Sequence, residues 1–325
     1  MSDVDDLKSR LEDWKRRFNE RDPHAIGMQI AHMLWRSAFY RSVNESRRFL
    51  PNDAEGGKQA NATLHQFIED GFFVGNSIAI RRLLDRSPGS GPRGVNSLYG
   101  LIRDIKDQVH LLTRANMLAA RGLEYDFEPI KDRAFDEARS KSSGGYFVAP
   151  NGWFEAEFWH KAMDRLCGVT EDRRSPRDTP DQRRLESLLT ELEERGRSVE
   201  EWANKFVVHA ASQESRQTLN RGEQSMSLSA LWLAERVVVR AAGFTLHYFV
   251  DGTNVGGIPH PQFDQFIYLD RPFIESCAVS AMQRAWQEHS QEIDSCKKWF
   301  WDRPLLDKSE AFAGFEDVKE VSEIA

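Results

Sequence analysis

The stretch Ser198-Val-Glu-Glu-Trp-Ala-Asn-Lys-Phe-Val-Val-His-Ala-Ala-Ser-Gln-Glu-Ser-Arg216 gathers one histidine, one lysine, one amide and one arginine at short spacing. Imidazole exchanges protons near neutral pH, and neighbouring cations favour negative charge, so these residue types suit proton transfer on an anionic substrate. At about 100° per residue, Val199, Trp202, Ala203, Phe206, Val207 and Ala210 share one face of a helix, and this stripe is read as core. Lys205, His209, Ser212 and Arg216 follow at steps of four, three and four and form a ridge beside Trp202, where they would be half wet. Ser198 with Glu201 reads as a capping box that starts the helix there. The alternative for His209 is a boundary histidine packed on its flank.

A second ridge of the same spacing, Arg103, Asp107, His110 and Arg114, falls on a helix expected over 95–121. Its apolar face, Leu98, Leu101, Ile102, Ile105, Val109 and Leu112, lies opposite, so a solvated ridge with Asp107 paired to Arg103 or Arg114 is the plain expectation. Other chemistry finds no motif. Gly57-Lys58 is followed by Gln59, which excludes a Walker loop, and there is no G-x-G-x-x-G after a strand, no H-E-x-x-H, no G-x-S-x-G and no kinase set. Glu157-Phe-Trp-His160 has the E-x-x-H spacing of helical di-iron sites but lacks the required second pair, so no metal and no cofactor is expected. Asp251-Gly-Thr-Asn254 is turn chemistry. Trp286, Trp299, Phe300 and Trp301 read as core, with an exposed aromatic platform as the alternative.

The chain has 325 residues and a net charge of −7, so it carries no overall basic field to hold nucleic acid, and any RNA contact must be local. Arginine predominates among the cations, which suits carboxylate or phosphate pairing and equally a composition bias. Three widely spaced cysteines, Cys167, Cys277 and Cys296, contain no C-x-x-C pair and fit a reducing compartment. The acidic start is unlike a signal peptide, and the cytoplasm is the expected location. The most apolar stretch, Ala230 to Val250, contains Glu235, Arg236 and Arg240, so it reads as a buried helix and no membrane contact is expected.

Helical periodicity runs through the chain, at 3–20, 24–49, 58–86, 95–121, 127–141, 153–167, 180–195, 198–220, 227–250 and 271–302, while strand alternation is scarce. The expected fold is all-α, a multi-helix bundle forming a single helical domain over 1–303, with a loosely packed tail over 304–325. The charged segment 171–180, with two prolines and no large apolar residue, reads as a mobile linker and marks a sub-boundary at 170–180.

At Trp202-Ala-Asn-Lys-Phe-Val-Val-His-Ala210 the chain resembles the HEPN superfamily, specifically its AbiU-type branch named for abortive phage infection. A late helix there carries an arginine, a polar residue and a histidine four to six positions after the arginine. Asn204, Lys205 and His209 match the polar part and the histidine, whereas the arginine's place falls at Ala203 or Asn204. The paired segments 76–86 and 96–105 are similar to the long helices of such proteins. The resemblance implies a HEPN-like bundle, a homodimer with motif helices facing each other, and metal-independent RNA cleavage in which the ribose 2′-hydroxyl attacks the neighbouring phosphate. His209 would move the proton, with Lys205 and Arg216 partly replacing the arginine. Arg103, His110 and Arg114 form the reserve site, because Arg103-Asp104 with His110 repeats the pattern. The competing reading is a non-catalytic helical subunit that binds a partner protein, in phage defence or a toxin–antitoxin system. Acidic net charge suits a basic partner protein better than RNA.

Overall fold

A computed structural model of the chain describes residues 2–19, 21–52, 61–89, 94–141, 152–209, 211–219, 224–253 and 276–298, with isolated positions 144, 148, 264, 266, 267 and 271. The chain divides into two compact units, Met1–Pro259 and His260–Ala325. The described part of the second unit is a short 3₁₀ turn, Ser276–Ala278, leading into a helix, Val279–Lys298. Residues 304–325, read as a loose tail, and Trp299, Phe300 and Trp301 lie outside the described residues.

The first unit is helical throughout its described residues, as the periodicity predicts, and no strand forms among them. Its helices are α1 (Asp3–Asn19), α2 (Ile26–Ser46), α3 (Ala62–Leu83), α4 (Leu98–Asp107), α5 (Arg114–Ala119), α6 (Glu128–Ser140), α7 (Gly152–Cys167), α8 (Gln182–Trp202), α9 (Gln213–Gln217) and α10 (Leu228–Thr245). In α1, Leu7, Leu11, Trp14 and Phe18 recur at helical spacing and are buried together. Helices α2, α3, α8 and α10 pack on one another around Ile30, Met33, Ile80, Leu83, Leu192, Leu231 and Val238. Side-chain caps set several starts: Asn61 accepts from the Leu64 N–H at 2.8 Å, Ser97 from Gly100 at 3.0 Å and Ser227 from Ala230 at 3.1 Å.

Two boundaries differ from the sequence expectation. The helices expected at 180–195 and 198–220 are one element as far as Trp202, so Ser198 and Glu201 sit inside α8 and form no capping box. Gly196 does not end the helix. A Cβ there would lie 2.2 Å from the Leu84 Cδ1, so the bare backbone is what admits the buried Leu84 side chain. Glycine in a helix interior costs roughly 0.5–1 kcal/mol relative to alanine, and this contact offsets it.

The helix expected over 95–121 breaks after Asp107. A 3₁₀ turn, Val109–Leu111, follows, and Thr113 caps a new helix by accepting from the Asn116 N–H at 3.2 Å. The break lets the consecutive Leu111 and Leu112 both be buried and turns Arg114 inward to complete burial. Its guanidinium meets Asp164 and Asp178 at 2.9 Å each, and donates to the His160 carbonyl at 2.9 Å. The backbone N–H groups of Arg114 and Ala115 donate to the carbonyls of Asp178 and Pro176 at 2.8 and 3.0 Å. Arg174 forks onto Asp164, the nearest approach being 2.7 Å. The segment 171–180, expected to be a mobile linker, is therefore bonded along its length to α5 and α7. The sequence pattern missed this because the partners are 64 residues apart.

His160 shares the same hub. Its Nε2 donates to the Tyr125 carbonyl at 2.9 Å, which leaves Nδ1 as an acceptor facing Arg114 at 3.4 Å. Burial and the Arg114 charge hold its pKa below the ordinary histidine range. Burial opposes the Asp164 carboxylate, but Arg174 and Arg114 outweigh it and lower its pKa. Because His160 is neutral in the folded chain and takes a proton more readily when unfolded, its contribution is complete above the unfolded histidine pKa. That contribution is lost as pH falls below about 6.5. Urea unfolding should therefore show stability declining from pH 7.5 towards pH 5, with a flatter slope in His160→Gln. Arg114→Ala, which leaves Asp178 without its cation and Asp164 with Arg174 alone, and empties a fully buried site, should cost about 3 kcal/mol in the same assay.

Candidate functional site

The predicted ridge is replaced by a folded knot. After Trp202 the backbone passes into a π-helical turn, Ala203–Val208, and His209 ends it in extended geometry with φ −121° and ψ 135°. The His209 N–H donates to the Asn204 carbonyl at 3.1 Å, five residues back, and this wider turn shifts each later side chain out of α-helical register. Val199 and Ala203 are buried as expected, but Phe206 is 37% exposed, and Trp202 and Val207 are only half-buried. Ala210 lies outside the described residues. Trp202 and Phe206 stack, with ring centroids 5.8 Å apart.

The knot ties the segment carrying these residues to α9 and α3, largely through backbone oxygens. Lys205 Nζ donates to the Ser215 carbonyl at 2.7 Å and to the Thr218 hydroxyl, and so closes the end of α9. Ser212 caps the start of α9, and Arg216 donates to the Ala211 carbonyl at 2.8 Å. Ala211 in turn donates its N–H to the His209 carbonyl at 2.8 Å. Asn204 accepts from Arg81 Nε, which arrives from α3. No salt bridge with a described carboxylate neutralises Arg81, Lys205 or Arg216, since each bonds a neutral oxygen. The His209 side chain is exposed. Sequence reading missed Arg81 because its 123-residue separation from Asn204 leaves no local signal.

The reserve residues do not converge. Arg114 is fully buried in the hub, whereas His110 is exposed on the 3₁₀ turn. Arg103 donates to the Arg86 carbonyl at 3.0 Å, beyond the end of α3, and lines a polar groove of about 520 Å³ with Asp104, Asp107 and Arg17. In that groove Asp104 accepts from Trp14 Nε1 at 2.8 Å and from Arg17 at 3.3 Å. Burial lowers the pKa of Arg17, while Asp104 and Asp13 act against that shift. Among the described residues no group of three or more metal-ligating side chains occurs. In the E-x-x-H segment, Glu157 is held by Lys161 at 2.6 Å and His160 belongs to the hub. No helix among the described residues is long and apolar enough to cross a membrane. In the second unit Trp286 is 80% exposed on its helix, which differs from the expected core placement.

A second constellation has no motif in the sequence. Glu235, in the middle of α10, is 5% exposed and accepts on Oε1 from the Ser37 hydroxyl and from Asn76 Nδ2, the latter at 2.8 Å. Asn76 is fully buried, donates also to Ser37 Oγ at 2.9 Å, and accepts from Arg36 Nε at 2.8 Å. Burial pushes the Glu235 carboxyl above its ordinary pKa, against the opposing bonds from Ser37 and Asn76. This network joins α2, α3 and α10. Its only trace in the sequence is a carboxylate within the most apolar stretch of the chain, a position that demands a partner. The chain matches no protein-family model, no curated protein and no solved structure.

Asn76→Ala removes a donor from Glu235 and the acceptor of Arg36 inside the core. It should destabilise the chain by about 3 kcal/mol in urea unfolding, while Asn44→Ala on the exposed side of α2 should change it by less than about 0.5 kcal/mol.

Proposed function

We propose that the chain is a HEPN-like protein of phage defence or of a toxin–antitoxin system that cleaves RNA without a metal. The observation that carries this is one π-helical turn that leaves His209 exposed and holds Lys205 to α9 and Asn204 to Arg81 through neutral oxygens, with Arg216 bonded to the Ala211 carbonyl in the same segment. Arg81 beside Asn204 is suited to the role of the arginine that the motif lacks at Ala203. In the reaction His209 takes the proton of the ribose 2′-hydroxyl as that oxygen bonds to phosphorus. The P–O5′ bond breaks, a 2′,3′-cyclic phosphate forms, and the leaving oxygen receives a proton. A homodimer with facing motif helices would supply that proton from the second His209. The guanidiniums would favour the extra negative charge on the phosphate oxygens.

A specific observation also supports the non-catalytic reading. Asn204 and Lys205 hold the knot together through their side chains, and Phe206 and Val208 are exposed beside them, as suits a surface that binds a partner protein.

Incubating the purified chain with tRNA and single-stranded RNA in EDTA separates the two. Cleavage should fall by roughly 100-fold or more in His209→Ala and by roughly tenfold or more in Arg81→Ala. It should be unchanged in His110→Ala. Intact RNA with a folded wild-type chain would reject the nuclease and leave the partner-binding reading.

A further inference from the structure

A cavity of about 360 Å³ opens above Glu235 between α2 and α10, independent of the His209 knot. Its volume falls in the range of small-molecule sites, and its walls include Leu34 and Val239. Ser37 and Glu235, both 5% exposed, form its inner end. Both bonds to the carboxyl fall on Oε1, from Ser37 and from Asn76, so Oε2 has no hydrogen-bond partner among the described residues. Trp232 lines the same cavity, and its indole Nε1 is buried with no partner among the described residues. The buried indole N–H and the second carboxyl oxygen, three residues apart on one helix, are thus both open to a ligand.

The rim has the opposite character. Arg41, Arg236 and Arg240 line the cavity and are exposed, and none forms a salt bridge with a described carboxylate. The Arg41 guanidinium lies 3.9 Å from the Trp232 ring centroid, which fixes one of these charges at the mouth. The cavity therefore combines a carboxyl, a buried indole N–H, apolar walls and three cations, one of them stacked on the indole. A matching ligand has an apolar body, a small polar group at one end and an anion at the other. A hydroxyl suits the inner end best. It can donate to an ionised carboxyl or accept from a protonated one, and its oxygen can accept from the indole, whereas an ammonium can only donate.

We propose that this cavity binds an aromatic acid that carries a hydroxyl group on the side of the ring away from its carboxylate, with the hydroxyl at Glu235 and Trp232 and the carboxylate at the three arginines. Isothermal titration calorimetry on the full chain tests it, with 4-hydroxycinnamate as the probe. The expected result is saturable binding at one site per chain. Cinnamate, which lacks the hydroxyl, and 4-hydroxybenzyl alcohol, which lacks the acid, should each bind roughly tenfold or more weakly. Trp232→Phe keeps the ring and removes the N–H, and Arg240→Gln removes a rim charge. Each should weaken 4-hydroxycinnamate by roughly five- to tenfold while circular dichroism stays unchanged. Absence of saturable binding by the folded chain would overturn the proposal. So would equal affinity for the three probes, or an affinity untouched by both substitutions. RNA cleavage is assayed separately, so failure of one reading leaves the other standing.

Discussion

Arg114 is a guanidinium with no access to solvent, and a charge in that position must be matched on the spot by opposite charge and by acceptors. Asp164 and Asp178 supply the charge and the His160 carbonyl an acceptor. Much of the local architecture follows from meeting that demand. The helix begun at Leu98 stops so that Arg114 can turn inward, and α7 presents Asp164 and His160 from one face. The proline-containing segment after α7 folds back to deliver Asp178.

Buried polar groups recur at the other helix crossings. Glu235, Asn76 and Ser37 tie α10 to α3 and α2, and Asp104 ties α4 to α1 through Trp14 and Arg17. Apolar stripes at helical spacing can slide or rotate by a turn with little loss, whereas a buried carboxylate with two donors accepts one arrangement. These networks give the bundle a defined register, and the carboxyl of Glu235 that helps set it also lines the cavity between α2 and α10.

The π-helical turn after α8 shows how a local departure can move candidate residues out of register. Widening the turn abolishes the ridge that α-helical spacing predicts for Lys205, His209 and Arg216. The chain then continues into α9, to which Lys205 is bonded, and Arg81 from α3 bonds Asn204 at the start of the turn. Arg81 and Lys205 there bond neutral oxygens, while hydrogen bonds from its own backbone N–H and from Ser212, together with the nearby Arg216 charge, lower the pKa of the Glu214 carboxylate.

From sequence alone, the helical class, the buried helix near residues 228–245 and the absence of strand patterning were all legible. Each rests on periodicity or on short separation along the chain. The tertiary structure alone decided that α8 runs through Gly196, because the reason is a Leu84 side chain from another helix. It alone decided that Arg114 is buried, that residues 171–180 are held, and that Arg81 joins Asn204. It also turned Glu235 from a charge that argues against a membrane span into the floor of a cavity. The physical reason is common to all of these. Helix formation answers to neighbours three and four residues away, whereas the fate of a charge or a glycine is set by whatever long-range contact meets it in the core.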